Sequence, residues 1–108
     1  ARLTALEFTQ LRILSTQEAG NDKPDPRSSV LKLHGSQLQQ DITELLVDVL
    51  GPQGLDFIDT AATADGFADL PTASVNAIRD YFNYRKVTIY GGSSEVQRGI
   101  ISKAILGL

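Results

Sequence analysis

The sequence predicts an all-α protein, an up-and-down helical bundle, and three observations carry that prediction. Apolar residues recur at three- and four-residue intervals in four separate stretches. Each stretch is closed by Gly, Pro or Asn, the residues that end helices. No run alternates apolar and polar residues for long enough to compete as a strand, and there is no internal repeat or low-complexity tract.

The first helix is expected from about Ala1 to Ala19, with Leu3, Leu6, Leu11, Ile13 and Leu14 among good helix formers, ended by Gly20-Asn21 and the breaker-rich "NDKPDPR". Ser28 or Ser29 caps a second helix whose Leu31, Leu38, Ile42, Leu45, Leu46 and Val49 keep helical spacing up to "LGPQG", and the two helices pair antiparallel. Residues 55–72 show no sustained period and read as an extended loop. Thr72 caps a third helix from about Ala73 to Lys86, with Val75, Ile78, Phe82 and Tyr81 inward. "TIYGG" interrupts the chain. Ser93 or Ser94 then caps a fourth helix with Glu95 in its first turn, where a carboxylate favours the helix dipole, and with Val96, Ile100, Ile101 and Ile105 at helical spacing.

The composition limits what such a protein does. A chain of 108 residues, 42% hydrophobic, supports one modest core, so a single domain over 1–108 is expected. Ten basic residues against 13 acidic ones give a net charge of −3, which argues against a general grip on nucleic acid or anionic lipid. With no Cys and one His there is no disulfide framework, no thiolate nucleophile and no expected protein-only metal site, and an intracellular, cytoplasmic setting fits best. No apolar run approaches the roughly 18 residues that span a bilayer. The chain opens inside a helical pattern with neither a capping cluster nor an initiator Met, as expected of a piece of something longer.

The stretch "TIYGGSSEVQRGI", residues 88–100, carries the most chemistry. Gly91-Gly92 permits unusual dihedrals and close backbone approach, and the helix N-terminus that follows offers unpaired N–H groups and a partial positive charge suited to a phosphate or oxyanion. A tight interhelical turn with a capping serine explains the same residues without a ligand. "LGPQG", residues 50–54, likewise reads as a helix C-cap or as a ligand loop. His34 is expected to be half-exposed and non-catalytic. Tyr81, Phe82 and Tyr84 are expected to pack in a core or interface. Arg79, Arg85, Lys86, Arg98 and Lys103 are either a basic patch for phosphates or ordinary solvated and paired charges.

"RKVTIYGGSSEVQRGIISKAILGL", Arg85 to Leu108, resembles the C-terminal signature of the acyl-CoA dehydrogenases: an Ile-Tyr pair, a small or acidic residue, Gly, Ser/Thr, a polar residue, Glu/Gln, an apolar residue, Gln and Arg, then a terminal helix. "SSVLKLHGSQLQQDITELLVDVLGPQGL", Ser28 to Leu55, is similar to the preceding helix and glycine loop of that family. The resemblance implies a flavoprotein whose subunits join an N-terminal helical domain, a β domain and a C-terminal four-helix domain, with FAD between the β domain and the C-terminal helices. It implies removal of the α-proton and a β-hydride from an acyl-CoA. This chain looks like most of the last domain, its first helix and the other domains lying before Ala1, with a dimer or tetramer, or a heteromeric dehydrogenase, as the assembly and an electron-transfer partner that the resemblance does not identify. In a eukaryote it implies a mitochondrial setting.

Carried over residue by residue, the resemblance puts Tyr90, Gly91 and Gly92 beside the thioester and flavin ring and Ser93, Ser94 and Glu95 beside FAD. It matches Gly51 and Gly54 to a loop that approaches a neighbouring subunit's cofactor. Pro52 stands where Gly is usual, and Asp48 where many members have Gln, an unfavourable charge beside a diphosphate. Phe82-Asn83 departs from the usual Arg-Asp and marks a divergent branch. Many members place a glutamate at position 91 as the base that takes the α-proton; glycine cannot act as one, so no catalytic residue is expected within this chain. Either an earlier helix supplies the carboxylate or the subunit lacks a base. A second class of function stays open beside the dehydrogenase: a non-catalytic helical assembly module.

Overall fold

The computed structural model describes residues 1–18, 25–55 and 72–108. Its regular elements are all helical: α1 (Arg2–Glu18), α2 (Arg27–Leu50), a 3-10 turn (Gly51–Gly54), α3 (Thr72–Asn83), a 3-10 segment (Tyr84–Thr88), α4 (Ser94–Ile101) and a π-helical turn (Ser102–Leu106). The all-α class expected from the spacing therefore holds. The expected stop of the first helix at Gly20-Asn21, nearly all of the 55–72 loop and the inward side chain of Val75 lie outside what is described.

Several boundaries differ from expectation for local reasons. The α2 helix starts at Arg27, ahead of the expected serine caps, because Asp25 supplies the cap: its Oδ1 accepts from the Arg27 backbone N–H at 2.9 Å and its carbonyl accepts from the Ser28 hydroxyl at 2.7 Å. The α3 helix stops at Asn83 rather than Lys86 and tightens into the 3-10 segment, whose carbonyls are taken by side chains of α2. At α4 the expected cap is found, Ser93 Oγ accepting from the Val96 N–H at 3.4 Å.

The chain divides into two compact units, 1–38 with 87–108, and 39–86. In the first, Ile13, Leu33 and Val87 are buried. The Arg27 Nη2 donates to the Thr16 hydroxyl at 3.0 Å, while Arg2, Ala5, Leu6 and Thr9 share a cleft of about 240 Å³ with Val30 and His34. That order, late α1 residues beside the start of α2 and early ones further along it, is the expected antiparallel pairing. His34, expected to be half-exposed, is exposed.

In the second unit Ala77 and Ile78 are buried. A polar clamp joins α2 to the 3-10 segment: Gln40 Nε2 donates to the carbonyls of Tyr84 and Arg85 at 3.1 and 3.2 Å, and Arg85 Nη2 donates back to the Gln40 carbonyl at 3.0 Å. The Arg85 guanidinium also stacks 4.3 Å over the Tyr81 ring, which meets Phe82 edge-on at 5.4 Å. Phe82, expected inward, is 62% exposed; with Ala77 and Ile78 already filling the buried face of α3, its ring stands on the open side.

Burial on α2 falls on a face the apolar spacing did not choose. Ser29, Leu33, Ser36 and Thr43, spaced by one and two turns, are buried, whereas Ile42, Leu45 and Val49 are exposed. Leu3, Phe8, Leu11 and Leu14 of α1 and Val96 and Ile100 of α4 are exposed as well. The leucine-rich faces are real, but within this chain nothing described covers them.

Candidate functional site

The chain leaves the 3-10 segment at Thr88 and reaches α4 at Ser94 through Ile89-Tyr90-Gly91-Gly92-Ser93. Two consecutive left-handed residues make the turn, Gly91 at φ +68° and Gly92 at φ +86°, a conformation that strains any residue with a β-carbon. The two glycines differ in what surrounds them. A β-carbon on Gly92 would stand 2.5 Å from Gln97 Nε2, whereas one on Gly91 would meet only Lys32 Cε, at 4.0 Å. Gln97 is buried and its Nε2 donates to the Gly91 carbonyl at 3.1 Å, so the turn is closed on its inner side and open on its outer side.

The approach to the turn is fixed from α2. The Val87 carbonyl accepts from Lys32 Nζ at 2.7 Å and from the Ser36 hydroxyl at 3.3 Å, and Val87 itself is buried. Sequence reading missed Lys32, Ser36 and Gln97. The signals were present: Ser29 and Ser36 lie two turns apart on one face, and Gln97 falls one turn after the capping Ser93, where its side chain reaches back to the turn.

At the start of α4, the Ser93 hydroxyl accepts from Val96 N–H and stands beside the Glu95 carboxylate. The Glu95 carboxyl is held below the ordinary carboxylate range first by its own backbone N–H at the helix start, next by the Ser93 hydroxyl, and to a smaller degree by Arg98, whose Nη1 lies 3.8 Å from Oε1. An anion already stands at this helix end. Ser94 is differently placed: its hydroxyl makes only a long bond, 3.5 Å, to the Thr88 carbonyl. Tyr90 and Ile89 are both exposed.

Tyr90, Gly91, Gly92, Ser93, Ser94 and Glu95 thus form one continuous turn in the first unit, exposed at Tyr90, Gly91 and Glu95 and half-buried between them, while Gly51 and Gly54 belong to the second. Gly51, at φ +58°, ends α2 with open space at its missing β-carbon. Gly54 is buried against the end of its own helix, where a β-carbon would sit 2.9 Å from Leu50 Cβ and 3.0 Å from the Val47 carbonyl oxygen, so its smallness is accounted for within the chain. Asp48 and Glu44 share an open cleft of about 390 Å³ with Val47, Leu55, Ile78, Tyr81 and Phe82. Of the basic set, Arg85 is committed to the clamp on α2, with Glu44 a further 3.9 Å contact. Among the described residues no three His, Asp or Glu side chains could hold a metal ion, and no helix is long and apolar enough to cross a membrane.

The family described as "Acyl-CoA dehydrogenase, C-terminal domain" matches residues 1–106. The chain is 32% identical over 105 residues to the protein named "Acyl-CoA dehydrogenase IpdE1" of Mycobacterium tuberculosis (strain ATCC 25618 / H37Rv), an alignment that covers 97% of this chain and 24% of that protein. The chain therefore spans about a quarter of the length of this curated relative. No solved structure matches it significantly.

Proposed function

Because the chain belongs to the acyl-CoA dehydrogenase family, as its C-terminal domain, we propose that it serves in its full-length parent to border the flavin and the acyl thioester in α,β-dehydrogenation of an acyl-CoA. The observation that carries this reading is the Tyr90–Ser94 turn, two left-handed glycines, the first of them exposed, running directly into a capped helix. A turn of that kind lets a flat group approach the main chain where side chains are absent.

FAD is the cofactor of this reading, and the turn suits one part of it. The open outer side of Gly91 and the loosely held Ser94 hydroxyl leave room and a donor for a neutral ring. The Glu95 carboxylate already occupies the α4 N-terminus, so Ser93 and Glu95 would stand beside the ring or ribityl chain rather than beside a diphosphate. When bound, the flavin supplies the hydride acceptor. The residues of this chain bound the pocket: Tyr90 offers a phenol at its edge, Gly91 and Gly92 keep it free of side chains, and Gln97 holds the Gly91 carbonyl away from it. Gly51 and Gly54 are proposed to approach the cofactor of a neighbouring subunit, Gly51 with the open face that such an approach needs.

Proton removal from the α-carbon needs a positioned base, commonly worth about 10² to 10⁴ in rate, and Gly91 supplies none. The carboxylate comes from a part of the parent ahead of Ala1 or from another subunit. A base-less subunit in a heteromeric dehydrogenase, or a module kept for assembly, is the second reading, and the exposed apolar faces of α1, α2 and α4 favour it. Those faces are proposed as surfaces for a homodimer, a homotetramer or a heteromeric partner. Acyl-CoA is the substrate in the first reading, an electron-transfer partner reoxidises the flavin, and the cysteine-free composition suits a cytoplasmic or mitochondrial setting.

The test is to purify the 108-residue chain and its parent, measure retained flavin by absorbance, and follow acyl-CoA-dependent reduction of an artificial electron acceptor. Flavin retention and turnover by the parent, with none by the isolated chain, is the expected result. Robust turnover by the isolated chain would overturn the reading and direct attention to Asp48, Asp80 and Glu95 as bases. An inert parent activated by Gly91→Glu would favour the base-less subunit.

A further inference from the structure

Two consecutive glycines leave the direction of the peptide between them undecided by the backbone. With no β-carbon on either side, the peptide joining Gly91 to Gly92 can turn over at small steric cost. In the folded chain a side chain decides its direction. Gln97 is 8% exposed; its backbone N–H is tied to the Ser93 carbonyl at 2.9 Å and its Nε2 donates to the Gly91 carbonyl at 3.1 Å. A carbonyl only accepts, so the nitrogen end of the glutamine amide is the end that faces it. The peptide is trans and planar, so its N–H points opposite to its carbonyl. With the Gly91 carbonyl turned in toward Gln97, the Gly92 N–H is sent to the side away from Gln97, and among the described residues it donates to nothing. Its neighbours at the helix start are committed, the Val96 N–H to Ser93 Oγ and the Glu95 N–H to its own carboxylate.

We propose that Gln97 is a positioning residue: by holding the Gly91 carbonyl inward it presets the Gly92 N–H as a donor for a carbonyl oxygen that gains negative charge in the reaction. This rests on the reading that Tyr90–Gly92 border the flavin and the acyl thioester. Two oxygens share that chemistry: the thioester carbonyl, onto which electron density moves as the α-proton leaves, and a ring carbonyl of the flavin, where charge collects on reduction. A donor fixed in advance needs no reorganisation when the charge develops. A peptide free to turn over would present its N–H only part of the time and a repelling carbonyl for the rest. Gln97 acts through that peptide and touches neither oxygen.

Two experiments test this. The first uses the 108-residue chain without substrate and reads the direction of the Gly92 N–H from NMR residual dipolar couplings in wild type, Gln97→Glu and Gln97→Met. An ionised carboxylate cannot donate and repels the Gly91 carbonyl, whereas a protonated carboxyl donates as the amide does. The Gly92 coupling of Gln97→Glu should leave the wild-type value once the new carboxyl ionises and return to it on acidification, while the couplings of α4 hold. In Gln97→Met, which has no donor, it should be averaged at every pH. A Gly92 coupling that stays at the wild-type value in both variants overturns the proposal.

The second compares the flavin-loaded parent with its Gln97→Met variant, which keeps the length of the side chain without the donor. Retained flavin and KM should stay within about two-fold while kcat falls at least about ten-fold, approaching the 10²–10³ that outright removal of such a donor costs. A flavin absorption spectrum and reduction potential that are unchanged in the absence of acyl-CoA assign the N–H to the thioester oxygen; a shift in both assigns it to the ring carbonyl. An unchanged kcat in the flavin-loaded variant, even with a lower Tm, leaves Gln97 a purely structural role and overturns the proposal. A parent inert toward acyl-CoA whose Gly92 coupling and flavin potential still respond to residue 97 counts against the dehydrogenase reading and supports the positioning role.

Discussion

Replacing Gly92 with alanine should destabilise the chain more than the same change at Gly91, although the two residues are adjacent and share a left-handed backbone. At φ +86° and +68° both pay the β-carbon penalty, about 1–2 kcal/mol each. Gly91→Ala stops there, since its new methyl meets only Lys32 Cε at 4.0 Å. In Gly92→Ala the methyl would lie 2.5 Å from Gln97 Nε2, so the Gln97 side chain must swing away and its bond to the Gly91 carbonyl is lost. The displaced atom is the far end of a flexible side chain, so the added cost is the loss of that bond, about 0.5–1.5 kcal/mol. The expected cost is therefore about 1.5–3.5 kcal/mol at Gly92 against about 1–2 kcal/mol at Gly91. Ser94→Ala, which loses only a 3.5 Å bond, should fall below both. Urea and thermal unfolding followed by circular dichroism at 222 nm measure these differences. A double-mutant cycle with Gln97→Ala isolates the cause: in that background the Gly92→Ala cost should shrink to the backbone penalty alone. Equal costs at Gly91 and Gly92, or additive behaviour with Gln97→Ala, would refute the account.

Three further outcomes are expected. Arg85→Ala should cost about 2 kcal/mol in urea unfolding, because it removes charged hydrogen bonds to the Gln40 and Tyr81 carbonyls and the stacking on Tyr81, and Arg85→Lys should recover only part of it. The carboxyls of Asp25, through its bonds from Arg27, and of Glu95, through its own N–H and Ser93, are both lowered on folding from their ordinary values of 3.8 and 4.5. Their stabilisation is complete above those values and lost as pH falls through the lower folded ones, so Tm should drop on acidification below about pH 4.5, and Asp25→Asn with Glu95→Gln should flatten that limb. Sedimentation velocity at micromolar concentration should show a dimer or larger species, since Leu3, Phe8 and Leu11 of α1 and Ile42, Leu45 and Val49 of α2 are exposed; a clean monomer that binds no hydrophobic dye would contradict the reading of those faces.

Local chemistry was legible in the sequence wherever one residue type and its spacing decide the outcome. Helical periodicity gave the four helices, Ser93 was readable as the cap of α4, and Gly91-Gly92 was readable as a backbone break, because capping and left-handed dihedrals depend on a few adjacent residues. The signature from Arg85 to Leu108 pointed to the family for the same reason. The cap of α2 was missed because several oxygens compete near its start, and the one that wins, from Asp25, is also held by Arg27.

What the tertiary structure alone decided is which face of each helix is covered and which polar groups meet across the chain. The spacing of Leu38, Ile42, Leu45 and Val49 defines an apolar face of α2, but burial went to Ser29, Leu33, Ser36 and Thr43, the face on which Ser36 meets the Val87 carbonyl and Thr43 meets Arg85. A periodic pattern records that a face is apolar and carries no information on whether the same chain or another molecule covers it. In the same way the sequence determined that Gly91 lacks a side chain, while only folding brought Lys32, 59 positions earlier in the numbering of the same chain, to 4.0 Å from the place that side chain would occupy. Contacts of that separation depend on the packing of whole helices, which no window of neighbouring residues encodes.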